Sequence, residues 1–281
     1  MSEHRHDEIL QQLRDNGRVS VALTAAALNV SEETIRRDLK ELEQRGQLRR
    51  IYGGAVPPRL DQDRPVVERS KVNVRGKAKI AELAERFVED GMSIFLDSST
   101  TAAAFARRLV GRNLTITTNC LDIALLLGPT VTRVNLTPGM LRTKDNALVG
   151  YDTLAYVRRF FYDAAFMGIA ACDLQHGWMD YEAHESHMRG VLRAQARRSV
   201  LLVDIDKFGR QAYLNTFALD APLTVVCDRP PPAAFVETFE RHGVTLLCAG
   251  ERDAALAHAA SVHAPPEGGE SRARAGKARR A

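Results

Sequence analysis

The chain has 281 residues, 45% hydrophobic and 26% charged, with 39 Lys or Arg against 35 Asp or Glu and a formal net charge of +4. That balance suits a globular protein with one large core and a small second one. No apolar run is long enough to span a bilayer, and the opening MSEHRHDEIL lacks the order of an export signal, which excludes a membrane partner and leaves a cytoplasmic protein as the expectation.

In chain order, the first region is short and helical. Ile9, Leu10 and Leu13 mark the apolar face of a first helix, and Leu23, Ala26, Ala27 and Leu28 that of a second. The stretch VALTAAALNVSEETIRRDLK reads as two short helices joined by a tight turn. Ser31 is placed to cap the second of these, with Val30 and Ile35 at the two positions of a hydrophobic staple. Ile35, Leu39 and Leu42 then fall on one face, and Glu32, Glu33, Thr34, Arg36, Arg37 and Lys40 on the other. One face packs and the other is free to read base edges, as in a helix-turn-helix. The following QLRRIYGGA alternates and ends on paired glycines, the pattern of a β-wing, with Arg49, Arg50 and Tyr52 in it. Residues 1–60 hold ten Lys or Arg and nine Asp or Glu, a net of only +1, so phosphate contacts have to come from the local cluster Arg36, Arg37, Lys40, Arg49 and Arg50.

A DNA-binding domain over residues 1–56 is therefore expected, then a linker over 57–75 whose prolines and mixed charges argue against a continuing helix. From Gly76, apolar runs alternate with helical patterns: MSIFL, LTITT, TVTRVNL, DAAFMGIA, SVLLVD, LTVVCD and VTLLCA read as strands, with helices between them. The fold class is α/β, a mostly parallel sheet over residues 76–250 covered on both faces. Residues 251–281, rich in Ala, Arg, Gly and Pro, read as a disordered basic tail. Cys120, Cys172, Cys227 and Cys248 are widely spaced in apolar runs with no Cys-x-x-Cys pair, so reduced buried thiols are expected, without metal, disulfide or cofactor.

Several strand ends carry polar groups. Asp97-Ser98-Ser99-Thr100-Thr101 leaves a buried strand and opens a helix, offering hydroxyls and free N–H groups to an anion. Thr118 and Asn119, Gly139, and Lys207 in DIDKFG end other strands, and a lysine there can act as a point charge for a phosphate. His184 and His187 lie three apart beside Glu182 and Glu185, but a polar helix start explains them better than a metal site.

The stretch NVSEETIRRDLKELEQRGQLRRIYGGA resembles the signature of the DeoR family of bacterial transcriptional regulators, and DSSTT, TTN, the Gly139 turn, LVG and DIDKFG are similar to that family's sensor domain. The resemblance implies a winged helix-turn-helix with Ser31, Glu32, Thr34, Arg36 and Arg37 at double-stranded operator DNA, and Arg50 and Tyr52 in the wing. It implies a sensor similar in fold to ribose-5-phosphate isomerase, binding a phosphorylated sugar. The phosphate would lie near Ser98, Ser99, Thr100 and Thr101, with Asp97, Asn119 and Lys207 around the sugar and Glu185 at the rim. Reading an operator with one short helix per chain implies a homo-oligomer. The competing class is an isomerase-like enzyme with a DNA-binding appendage, for which Asp97, Glu185 and Lys207 are the nameable general bases.

Overall fold

The computed structural model describes residues 2–58, 63–129, 133–220 and 223–249. The N-terminal part runs α1 (Ser2–Asn16), β1 (Val19–Ser20), α2 (Val21–Ala27), α3 (Glu32–Gln44), β2 (Arg49–Ile51) and β3 (Gly54–Val56). The strands pair antiparallel in the order β1-β3-β2. Ser31, in extended backbone, accepts a hydrogen bond from the Thr34 amide at 3.2 Å and starts α3. Val30 packs against the cluster that holds Ile35, closing the staple. Ile35, Leu39 and Leu42 are fully buried against Ile9, Leu13 and Leu48. Each such side chain contributes about 1.5–3 kcal/mol of burial.

The face expected on α2 is corrected. Ser20 caps this helix through the Leu23 amide, and the residues turned inward are Val21, Thr24 and Ala25, while Leu23 is 75% exposed and Ala26 and Ala27 face outward. A helix of seven residues buries one i, i+3, i+4 set, and the start at Val21 decides which. Asp38 of α3 is also buried: Arg5 grips it with two hydrogen bonds, at 2.5 and 2.9 Å, and His6 approaches at 3.2 Å. Burial raises the Asp38 carboxyl, but Arg5 and His6 outweigh it and hold it below the usual range. This ion cluster ties α1 to α3.

The recognition helix ends at Gly46, left-handed at φ +75°, where the Gln47 amide reaches back to the Leu42 carbonyl at 2.9 Å and the Gly46 amide to Glu43 at 2.9 Å. A side chain there would suffer twice, from the backbone conformation and from the guanidinium of Arg210 lying against the position.

The segment expected to be a helix-free linker contains α4 (Val66–Lys71), and α5 (Val74–Ala84) begins inside it. Pro65 sits at the N-cap of α4, where its missing N–H costs nothing, and no proline follows to stop the turn.

The remainder continues β4 (Ser93–Leu96), α6 (Thr100–Ala106), β5 (Thr115–Thr118), α7 (Leu121–Leu127), β6 (Arg133–Leu136), β7 (Met140–Arg142), β8 (Ala147–Val149), α8 (Tyr151–Val157), β9 (Tyr162–Met167), β10 (Ala171–Asp173), β11 (Gly177–Asp180), α9 (Ala183–Gln195), β12 (Ala196–Val203), β13 (Leu214–Phe217), β14 (Thr224–Cys227), α10 (Ala233–Arg241) and β15 (Thr245–Cys248). Seven strands form the main sheet in the order β15-β14-β12-β9-β4-β5-β6 with every pair parallel. The strand order therefore reverses between β4 and β9, the place where open α/β sheets leave a crevice at their carboxyl ends. An antiparallel sheet β10-β11-β13 and the hairpin β7-β8 were not read from the sequence. The core of this part gathers Phe95, Met167, Trp178, Leu201 and Phe239, with Trp178 stacked on Phe239 at 5.6 Å between centroids. All four cysteines are buried thiols outside any disulfide, and no described helix is long and apolar enough to cross a membrane.

Candidate functional site

The outward face of α3 and the wing present the residues expected at DNA. Ser31, Glu32, Arg36, Arg37, Lys40, Arg49, Arg50 and Tyr52 are exposed and Thr34 is half-buried. They differ in freedom. Arg36 is held by Glu32 at 2.5 Å and Glu33 at 3.5 Å, and Arg50 by Glu43 at 2.7 Å, which fixes the wing to the recognition helix. Arg37 has no ion pair or side-chain hydrogen bond to a described residue, and Tyr52 stands fully exposed at the wing tip.

The second site lies where β4, β9, β12 and β5 end side by side. Asp97 follows β4 and is almost fully buried, accepting from the Ser99 amide at 3.0 Å, the Gly168 amide at 2.8 Å and the Arg189 guanidinium at 3.1 Å. Its carboxylate thus organises the loop, leaving little of it for a ligand. Gly168, after β9, is needed because a side chain would collide with that of Ser99. Arg189 of α9 also donates to the Gly168 carbonyl at 2.6 Å and reaches Asp180 at 2.8 Å. Arg142, the last residue of β7, grips Asp145 with two bonds and pairs with Glu185. Desolvation pushes the Asp180 carboxyl up to about 7, against the pull of Arg189. For Glu185, burial is outweighed by Arg189 and Arg142, which hold it below its usual range.

Two recesses flank the Asp97–Ser99 loop. One, a narrow slot of about 10 Å³, is lined by Asp97, Ser98, Asn119, His184, Glu185 and Arg189 among others. The other, roomier at about 50 Å³, is lined by Ser99, Thr100, Thr101, Gly168 and Lys207 together with further cations. Ser99 caps α6 by accepting from the Ala102 amide at 3.1 Å. The ammonium of Lys207, in a 3-10 turn after β12, makes no hydrogen bond or ion pair with a described residue, Asp206 included, while the backbone amide donates to the Asp204 carbonyl at 2.9 Å. Burial, then Arg210, depress its ammonium to about 8.

The expected effector residues therefore divide. Asp97, Ser98, Asn119 and Glu185 meet at the first recess, and Ser99, Thr100, Thr101 and Lys207 at the second. Thr118 and Gly139 line neither: Thr118 is fully buried and its hydroxyl accepts from the Cys120 amide at 3.1 Å, while Gly139 lies in the turn between β6 and β7. His184 lines the first recess, His187 is exposed, and among the described residues no group of three His, Cys, Asp or Glu is placed to hold a metal. Sequence reasoning missed Arg142, Asp180 and Arg189. Their only signal was a charge falling on the inward face of a helix or strand.

Comparison with protein families gives two matches, a DeoR-like helix-turn-helix domain over residues 5–59 and the DeoR C terminal sensor domain over residues 72–229. The chain belongs to the DeoR family of transcriptional regulators. Among relatives, it is similar to the glycerol-3-phosphate regulon repressor of Escherichia coli strain K12, at 31% identity over 87% of this chain and 98% of that one. It is also similar to the transcriptional regulator GlpR of Haloferax volcanii, at 32% identity over 86% and 96%. The repressor GlcR of Bacillus subtilis strain 168 matches at 29% over 87% and 95%. Family membership makes this DeoR protein a regulator of transcription rather than an enzyme. Among solved structures, ribose 5-phosphate isomerase A of Methanocaldococcus jannaschii aligns over 48% of this chain and 55% of its own, at 20% identity and a TM-score of 0.36.

Proposed function

We propose that this DeoR protein is a repressor of carbohydrate-metabolism genes in the cytoplasm, released from its operator by a phosphorylated sugar or sugar derivative. The observation that carries the effector reading is the second recess, where Ser99, Thr100 and Thr101 face an unpaired Lys207 across the carboxyl edge of a parallel sheet. The first recess, next to it across Asp97, supplies Ser98, Asn119 and Glu185 for sugar hydroxyls. The names of the relatives support the reading, one being a repressor of a glycerol-3-phosphate regulon. A thermal-shift screen of sugar and polyol phosphates tests it: a ligand at a hundred times its dissociation constant stabilises by about 2.7 kcal/mol. A screen in which no phosphorylated compound shifts the midpoint beyond its unphosphorylated counterpart rules the reading out.

On the DNA side, Ser31, Glu32, Thr34, Arg36, Arg37, Lys40, Arg49, Arg50 and Tyr52 form the proposed contact surface. Arg37→Ala is expected to weaken operator binding by about five- to 150-fold, because an uncommitted guanidinium on the reading face donates to a guanine edge or a phosphate, worth roughly 1–3 kcal/mol. Circular dichroism should be unchanged, since Arg37 touches nothing that holds the fold. Operator affinity equal to the parent's at matched salt would remove α3 from the major groove.

Assembly belongs to the same proposal. One helix-turn-helix reads few base pairs, so a homodimer or higher oligomer on related half-sites is expected. Light scattering that gave a monomer both free and with operator DNA would contradict it.

A further inference from the structure

The second recess is walled by more than the sensor. Arg45, the C-cap of the recognition helix, lines it, as do Arg64 and Arg69 from the segment between the two family matches, facing Lys207 and Arg210. Lys77 completes the cations, but its ammonium is occupied by the carbonyls of Arg69, at 2.5 Å, and Val72, at 2.7 Å. Asp63, Asp204 and Asp206 are the acids of the lining, too few to neutralise the cations around them.

The excess is only partly satisfied: Arg69 Nε pairs with Asp63 at 3.1 Å and donates to the Arg64 carbonyl at 3.1 Å, and its terminal nitrogens bond to no described residue. Beside the unpaired Lys207, the Arg45 side chain has no hydrogen bond or ion pair to a described residue, and Arg210 Nε is buried without an acceptor. Burial and the neighbouring Arg210 both depress the Arg64 guanidinium, as crowded like charges require. A buried surplus of positive charge is costly until an anion enters, and arginine forks match a phosphate's oxygens in pairs.

We infer that the effector's phosphate is held jointly, by Lys207 and the Ser99–Thr101 loop of the sensor and by Arg69 and Arg45 from the linker and the recognition helix. The inference rests on the assignment of this recess to the effector's phosphate. It gives the site a direct mechanical link to DNA binding. Arg210 donates to the Gly46 carbonyl at 2.7 Å and Arg64 to the Gln44 carbonyl, so the guanidiniums lining the recess also grip the carboxyl end of α3. A dianion that draws those guanidiniums inward changes the grip on α3, and by linkage operator DNA changes the affinity for the dianion by the same factor.

Inorganic phosphate, titrated calorimetrically into the full chain, is the probe. Lys207→Gln, Arg69→Gln and Arg45→Gln are each expected to weaken phosphate at least about tenfold, the scale of one charge-assisted hydrogen bond. Arg69→Lys should recover part of the loss, keeping the charge without the fork. The ligand-free thermal midpoint of Arg45→Gln should match the parent's, because that side chain has no partner to lose. If Lys207→Gln lost phosphate while Arg69→Gln and Arg45→Gln bound it like the parent, the sensor alone would hold the anion and the joint site would be overturned, with the effector reading intact. Parental phosphate affinity in Lys207→Gln would overturn the effector reading itself, and the joint site with it.

Discussion

Replacing Arg189 by leucine is expected to lower stability by about 3–5 kcal/mol, the cost of removing one partner from a buried ionic cluster. Whole domains hold only about 5–15 kcal/mol, so chemical denaturation should show a large shift of the midpoint. The reason lies in the count of charges. One guanidinium, 5% exposed, faces Asp97, Asp180 and Glu185, and it also holds the Gly168 carbonyl. Leucine fills most of the volume but leaves three acids without their shared cation. The pH dependence separates this from a packing defect. Unpaired buried carboxylates have folded-state values raised above their unfolded ones, so the folded state binds more protons, and stability falls as pH rises and recovers as pH falls. The deficit of Arg189→Leu relative to the parent should therefore shrink between about pH 9 and 5: above pH 7 through Asp180, whose carboxyl already sits at about 7 in the parent, and at lower pH through Glu185, which Arg189 holds low in the parent. A deficit of the same size at both ends would mean a packing defect. Arg189→Lys should fall between the two proteins, since an ammonium restores the charge without the fork that reaches both Asp97 and Gly168.

The same cluster shows where the sequence was readable. The cap, staple and core face of α3 were legible because each is local: Ser31, Val30, Ile35, Leu39 and Leu42 lie within thirteen residues and obey one helical period. The parallel sheet was legible from its apolar runs, and DSSTT, TTN and DIDKFG were legible as strand ends because polar residues follow those runs directly. Arg189, Asp180 and Asp38 were not, because a charge on an amphipathic pattern is assigned to solvent until its partner is known, and the partners stand 92, 9 and 33 residues away. The α2 face failed for a related reason: with only seven residues, one residue of uncertainty in the start rotates the buried set. Arg45, Arg64 and Arg69 read as ordinary surface charge in a helix end and a linker, and only the fold brings them to the sheet's carboxyl edge.

Lys207→Gln is expected to leave operator affinity near the parental level while abolishing release by the phosphorylated effector. The side chain belongs to the turn after β12 and to the recess, while the reading face of α3 and the wing carry none of its contacts. The parent should also show a characteristic pH profile. Arg210 and Arg69 repel the Lys207 ammonium while Asp63 and Asp204 attract it, and with burial dominant its value falls to about 8 from the ordinary 10.5. The free protein therefore loses this cation as pH rises through about 8, and effector affinity should decline there. On the acid side, affinity should decline below about pH 6, where a phosphate monoester takes up its second proton and loses half its charge. A bound dianion restores the ammonium, so binding near pH 8 takes up a proton, visible as a dependence of calorimetric heat on the buffer's ionisation enthalpy. Lys207→Arg tests the assignment of the alkaline limb, because a guanidinium stays charged to above about pH 12 and should flatten it while keeping affinity within reach of the parent's. An affinity that is flat from pH 7 to about 9.5 in the parent, or an operator complex of Lys207→Gln that still dissociates at the parental effector concentration, would leave Lys207 a spectator and take the effector's phosphate out of this recess.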